Sequence, residues 1–187
     1  MRRHRFYYPS VTQRTKAITD SSQVRQIRNV LRAQAGDELL LWKSGEGGDY
    51  LFRITHSASA RIDGEIVTML ENDSESRVHV SLFCALLKRE NFELVLQKAA
   101  EVGVVAIYPL VTGRVVKTRF NRERAALIIQ EAAEQSGRGV LPEIGEVIDL
   151  EHAFRVAQEN DTNVFFHKDG VTHFMRRKAD SERRIGI

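Results

Sequence analysis

The stretch Phe92-Glu93-Leu94-Val95-Leu96-Gln97-Lys98-Ala99-Ala100-Glu101-Val102-Gly103-Val104-Val105-Ala106-Ile107-Tyr108 decides the fold class. Phe92, Val95, Leu96 and Ala99 recur at i, i+3, i+4 and i+7, which predicts a helix with one apolar stripe. Gly103 is placed to end it, because glycine takes the left-handed backbone of a helix C-terminus without a Cβ clash. Val104 to Tyr108 then reads as a buried strand. Upstream, Val78, Val80 and Leu82 open another strand. Downstream come a helix over 122–136, a strand from Ile144 to Ile148, a short helix over Glu151 to Gln158, and Asn163-Val164-Phe165-Phe166, whose two phenylalanines read as strand core. Strands alternating with helices predict a mostly parallel sheet covered on both faces.

The first seventy residues have a different texture. Leu39-Leu40-Leu41-Trp42 follows the turn signal Gly36-Asp37, and Ser44-Gly45-Glu46-Gly47-Gly48-Asp49 reads as a hairpin loop. Tyr50, Phe52 and Ile54 alternate with Leu51, Arg53 and Thr55, and Arg61 to Leu70 forms a further strand with a bend at Gly64. Short strands this close together predict a small barrel, interrupted by a helix from Gln23 to Arg32. The polar run Glu71-Asn72-Asp73-Ser74-Glu75-Ser76 separates the two textures. The expectation is therefore a two-domain, α+β chain: a barrel over 1–72 and an α/β domain over 77–187.

A chain of 187 residues, 42% hydrophobic and 28% charged, can bury a sizeable core. It has no apolar run near the ~18 residues of a membrane span, and the opening Met1-Arg2-Arg3-His4-Arg5-Phe6 lacks a signal-peptide core, so a cytoplasmic location is expected. Cys84, the single cysteine, lies among Leu82, Phe83, Ala85 and Leu86 and reads as a small core residue. The histidines have no metal-ligand spacing, so no metal is expected, and Gly45, Gly47 and Gly48 do not lead from a strand into a helix as a phosphate-binding loop would.

The net charge of +3 conceals an uneven distribution. Residues 1–32 carry eight Lys or Arg against the single acid Asp20, and Arg114, Lys117, Arg119, Arg122 and Arg124 face only Glu123. Arginines interleaved with Phe6, Tyr7, Tyr8 and Phe120 suit phosphate contact with base stacking. A second polar feature is the run Glu131-Ala132-Ala133-Glu134-Gln135-Ser136-Gly137-Arg138, in which Glu131, Gln135 and Arg138 are spaced i, i+4, i+7 on one predicted helical edge opposite Ala125, Ile128, Ile129 and Ala132. That edge is either a site or a solvated charged face.

Read in order, these segments resemble the RsmE family, SPOUT-class methyltransferases that modify N3 of a uridine in bacterial 16S ribosomal RNA. The resemblance rests on Met1 to Tyr7, Val30-Leu31-Arg32 before Gly36-Asp37, Gln97 to Val104, Ile107-Tyr108-Pro109-Leu110 with Arg114, Glu131 to Arg138, and Pro142-Glu143-Ile144. It implies an N-terminal PUA-like RNA-binding barrel, a SPOUT α/β domain with a C-terminal knot, S-adenosylmethionine as cofactor, 16S rRNA of the small ribosomal subunit as partner, and a homodimer. The residues themselves suggest RNA contact from Arg2, Arg3, Arg5, Arg28, Arg32 and Arg114, and a catalytic site at Glu134 and Arg138, with Arg5 and Arg138 meeting at the target nucleotide; the alternatives are a Glu134–Arg138 pair at i, i+4 that secures the helix end and a structural clamp at Arg114.

The sequence departs from the family in three places. The histidine that relatives place before Val-Leu-Arg stands at Gln26, and Glu-Leu-Gly-Val is Glu101-Val102-Gly103-Val104. The family's Gly-Pro-Glu-Gly-Gly and Leu-Arg-x-Glu-Thr segments do not occur in these 187 residues, so the cofactor loops and the knot are expected beyond Ile187 and the 187 residues alone are expected to be inactive. The rival expectation is a non-catalytic RNA-binding protein without a cofactor site.

Overall fold

The computed structural model describes residues 3–113, 120–166 and 183–187. The chain divides into two units, Met1–Ser74 and Glu75–Ile187.

The first unit is built on one mixed sheet. Its elements are β1 (Arg5–Tyr7), β2 (Ala17–Ile18), α1 (Ser21–Arg25), a π-helical turn over Gln26–Val30, β3 (Glu38–Trp42), β4 (Gly48–Ser57) and β5 (Ile62–Glu71). The sheet runs β1-β3-β4-β5-β2, with β1 parallel to β3 and the other pairs antiparallel. Gly64 is where β5 presses on β4: a Cβ there would meet the Phe52 ring and the Arg53 carbonyl. The β4/β5 ladder shifts register at Leu51/Phe52 and at Ile54/His56, which gives the predicted bend a physical cause, since bulges increase local twist. Phe6, Ile18, Ile27, Leu41, Phe52 and Ile62 are buried together as the core.

The helical segment begins earlier than predicted, at Ser21, because the Asp20 carboxylate accepts from the Gln23 N–H at 2.9 Å and caps it. Its end is unusual. The Leu31 N–H donates to Gln26 O, five residues back, and the Ala33 N–H to Ile27 O, six back, both at 3.0 Å. The second bond requires Arg32 between them to turn left-handed, at φ 53. Arg32 is the one non-glycine with positive φ among the described residues, a conformation that costs a side-chain-bearing residue roughly 1 kcal/mol or more.

The second unit alternates strands and helices as the periodicities predict: β6 (Val78–Ala85), α2 (Arg89–Val102), β7 (Val104–Val111), α3 (Arg122–Ser136), β8 (Glu143–Ile144), β9 (Ile148–Asp149), α4 (Leu150–Ala157), β10 (Thr162–Asn163) and β11 (Arg183–Gly186). The sheet runs β10-β11-β6-β7-β8, β9 also pairs with β7, and every recorded pairing is parallel. Phe92, Leu96, Ala99 and Ala100 of α2 and Ala125, Ile129 and Ala132 of α3 share one buried cluster with Val104 and Ile107 of β7. Gly103 does end α2, at φ 100.

Two expectations are corrected here. The single strand Ile144 to Ile148 is two short pieces, β8 and β9, parted at Gly145, where a Cβ would meet the Tyr108 ring. Phe165 and Phe166 are not strand core: they are 75% and 66% exposed. The pairing of β10 with β11 stops at Asn163, so both rings lie past the last ladder bond at the end of the sheet.

Candidate functional site

Arg138 is where the predicted helical edge and the structure part company. Gly137 caps α3 in the left-handed conformation, φ 79, which rotates the chain out of the helical period. Glu131 and Gln135 stay exposed, while Arg138 turns inward to 3% exposure. Its Nε and Nη2 donate to the two Glu75 oxygens at 2.8 and 2.9 Å, and its Nη1 donates to Ala100 O at 2.6 Å and, more weakly, to Val104 O at 3.4 Å. Glu75 Oε1 also accepts from the Gly139 and Val140 N–H groups at 2.7 and 3.1 Å. The guanidinium therefore joins the start of the unit, the turn between α2 and β7, and the end of α3.

Burial alone would push the Glu75 carboxyl up, but Arg138 and the two backbone donors outweigh it and hold the carboxyl below the usual range. A group this enclosed acts as a clamp between these three segments. Glu134 remains half-buried on α3 and accepts from Gln130 Nε2 at 3.1 Å.

The amino-terminal arginines divide in the same way. Arg5 forms two 2.7 Å hydrogen bonds to Asp49 and lies 4.1 Å from the Trp42 ring centroid, with the arginine and aspartate side chains only 8% and 11% exposed. That pairing leaves little of its charge for a phosphate. Arg3 shares Glu38 with Arg53, at 2.8 and 3.1 Å, and its side chain is 44% exposed. Arg28 is half-buried and Arg32 exposed, and neither side chain has a hydrogen-bond or ion-pair partner among the described residues. Gln26, at the relatives' histidine position, is exposed on the same segment. Arg2 and Arg114 lie outside the described residues, as do Lys117 and Arg119.

The rest of the second basic stretch is paired: Arg122 with Glu146 at 2.9 Å and with the carbonyls of Ile144 and Gly145, and Arg124 with Glu93 at 3.1 Å. Burial raises the Cys84 thiol, which keeps it protonated and unreactive at neutral pH. Sequence reasoning missed Glu75 and Asp49, the partners that turn two arginines inward. Glu75 is 63 residues from Arg138, and no local pattern signals a pairing of that span.

Residues 74–187 match the family model described as an RNA methyltransferase domain. The ribosomal RNA small subunit methyltransferase E of a Synechocystis strain is 32% identical over 126 residues, covering 66% of this chain and 41% of the relative. The protein of the same name from Bacillus subtilis is 26% identical over 161 residues, covering 83% and 62%. The chain thus spans less than two thirds of the length of either relative. Among solved structures, a Legionella pneumophila protein described as a methyltransferase and holding S-adenosylmethionine superposes with a TM-score of 0.85 at 26% identity, over 100% of this chain and 78% of that one. The methyltransferase E of Neisseria gonorrhoeae shares the fold, with a TM-score of 0.82 at 22% identity over 99% and 78%.

Proposed function

The chain belongs to the RNA methyltransferase domain family, and from that membership we propose that it serves S-adenosylmethionine-dependent methylation of N3 of a specific uridine in the 16S rRNA of the small ribosomal subunit. The match of residues 74–187 to the family model carries this reading, and the cofactor bound by the Legionella relative supports its chemistry. In this reading the first unit is a PUA-like RNA-binding barrel, the protein acts in the cytoplasm, and the complete enzyme is a homodimer.

Within the chain the roles follow availability. Arg28 and Arg32, with Arg3 beside them in the sequence reading and Arg2 and Arg114 as further candidates, contact RNA phosphates. Arg5 and Arg138 are positioning residues: Arg5 is held by the covered Asp49 carboxylate, and Arg138 ties the half-buried Glu75 to the Ala100 carbonyl. Glu134 orients the target base. Removing the N3 proton of uracil leaves negative charge on the ring carbonyls, so the base must be drawn out of its stack toward cationic or hydrogen-bonding groups.

S-adenosylmethionine would supply the methyl group as an electrophilic sulfonium. The cavity of about 290 Å³ beside Leu86 and Phe92 has one carboxylate, Glu93, and that is already bound by Arg89 at 2.9 Å and Arg124 at 3.1 Å, leaving no uncompensated negative charge to face a sulfonium. No methyl-transfer step is therefore assigned to these side chains. Deleting the gene for this protein should remove one N3-methyluridine from 16S rRNA, read by mass spectrometry of digested RNA. An unchanged modification profile would overturn the proposal.

A further inference from the structure

Among the described residues, three helical segments end on a left-handed residue: α2 at Gly103, φ 100, α3 at Gly137, φ 79, and the π-helical turn at Arg32, φ 53. Glycine holds that backbone with the least strain, and the first two ends use it. The third uses arginine. No contact among the described residues explains the choice, because the Arg32 side chain is exposed and has no hydrogen bond or ion pair among them. A cation near a helix C-terminus does gain from the helix dipole, but Arg28 in the last turn already supplies one, and at an exposed site that gain is screened.

The surroundings of Arg32 point to what the guanidinium is for. Arg25, Arg28 and Arg32 follow one another at three- and four-residue intervals along the segment, all without a side-chain partner among the described residues. Val30, between the last two, is 72% exposed. The Ala33 N–H to Ile27 O bond locks the turn, so Arg32 leaves the chain in a direction set by the backbone and not by a flexible loop. Unpaired cations flanking a bare apolar side chain match a nucleic-acid strand whose phosphates alternate with an unstacked base. A duplex offers the phosphates but keeps its base faces stacked against one another.

Building on the RNA-binding reading above, we infer that the Arg28–Arg32 turn is a grip for single-stranded RNA, in which Arg28 and Arg32 hold neighbouring phosphates and Val30 lies against the face of an unstacked base. The left-handed arginine is the signature: strain is accepted at the residue that touches the ligand.

The test is the affinity of the full chain for a labelled hairpin RNA with an unpaired loop and for a fully paired duplex of the same length, across a range of salt, with Arg32→Gly and Val30→Ser beside the wild type. The wild type should favour the looped RNA. Arg32→Gly should unfold at a higher temperature than wild type yet bind roughly tenfold more weakly, with the slope of log affinity against log salt shallower by about 0.7 to 0.9. Val30→Ser should weaken binding to the loop without changing the slope. An Arg32→Gly chain that binds the loop with wild-type affinity and slope, or a wild type that prefers the duplex, overturns the grip while leaving RNA binding intact. A wild type without affinity for either RNA overturns the RNA-binding reading itself, and the grip with it.

Discussion

Arg3 and Arg5, just before and on β1, give their guanidinium groups to Glu38 and Asp49, whereas Arg25, Arg28 and Arg32, along the helical segment of the same unit, have no partner among the described residues. In sequence the two stretches look alike. The difference comes from sheet register. Trp42 of β3 stands opposite Tyr7 on one side and Asp49 on the other, so pairing three strands delivers a carboxylate and an aromatic face to Arg5. The helical segment lies against the core through Val24 and Ile27, and none of the described strands of its unit pairs with it to deliver an acid. Arg138 repeats the first case in the second unit, with Glu75 as the carboxylate. Positive charge in a sequence marks a candidate surface, and the topology around it decides which of its members remain available.

The comparison can be broken by substitution. The largest effect belongs to Arg138→Ala, which strands the Glu75 carboxylate and the Ala100 carbonyl together. It should cost about 4 kcal/mol in chemical denaturation, and a loss below about 1 kcal/mol would show the clamp to be ornamental. Arg5→Ala should cost about 3 kcal/mol by leaving Asp49 covered and unpaired, while Arg5→Lys should recover part of that, since lysine restores the charge without the two-pronged geometry.

Acid sharpens the same point. Because the Glu75 carboxyl is held below its ordinary value in the folded state, its stabilisation is complete above the ordinary carboxylate range and is lost as pH falls through the lowered value. The stability gap between wild type and Glu75→Gln should therefore be widest at neutral pH and close below about pH 4 in urea titrations. On the available side of the comparison the effects are small. Arg32→Gly should raise stability by about 1 kcal/mol, and Arg28→Ala should leave it within about 0.5 kcal/mol, both read by thermal unfolding.

Local rules made much of the fold legible. The Phe92 to Ala99 stripe and Gly103 mark α2, and α3 spans the predicted 122–136, because each of these depends on neighbours within one or two turns. The same rules failed where they were extended past a boundary. Arg138 was placed on a helical edge by continuing a period of 3.6 through Gly137, whose left-handed φ cancels that period. Phe165 and Phe166 were placed in a core because apolar pairs usually are, but the ladder beside them had already ended. At the candidate site, Arg28 and Arg32 were legible as cations, Arg32 exposed and Arg28 half-buried, whereas the burial of Arg5 and Arg138 was not legible.

By itself, then, the sequence determined the two textures of the chain, the alternation of strands and helices in its second half, most helix boundaries, and the family resemblance carried by its ordered motifs. Only the tertiary structure decided which of the described arginines are clamps and which lack a partner among the described residues, where Phe165 and Phe166 end up, and that Arg32 occupies a glycine's conformation. Element type is set by contacts a few residues apart along the chain. The state of a charged side chain is set by the carboxylate or carbonyl that folding brings to within about 3 Å of it, and at Arg138 that carboxylate is 63 residues away.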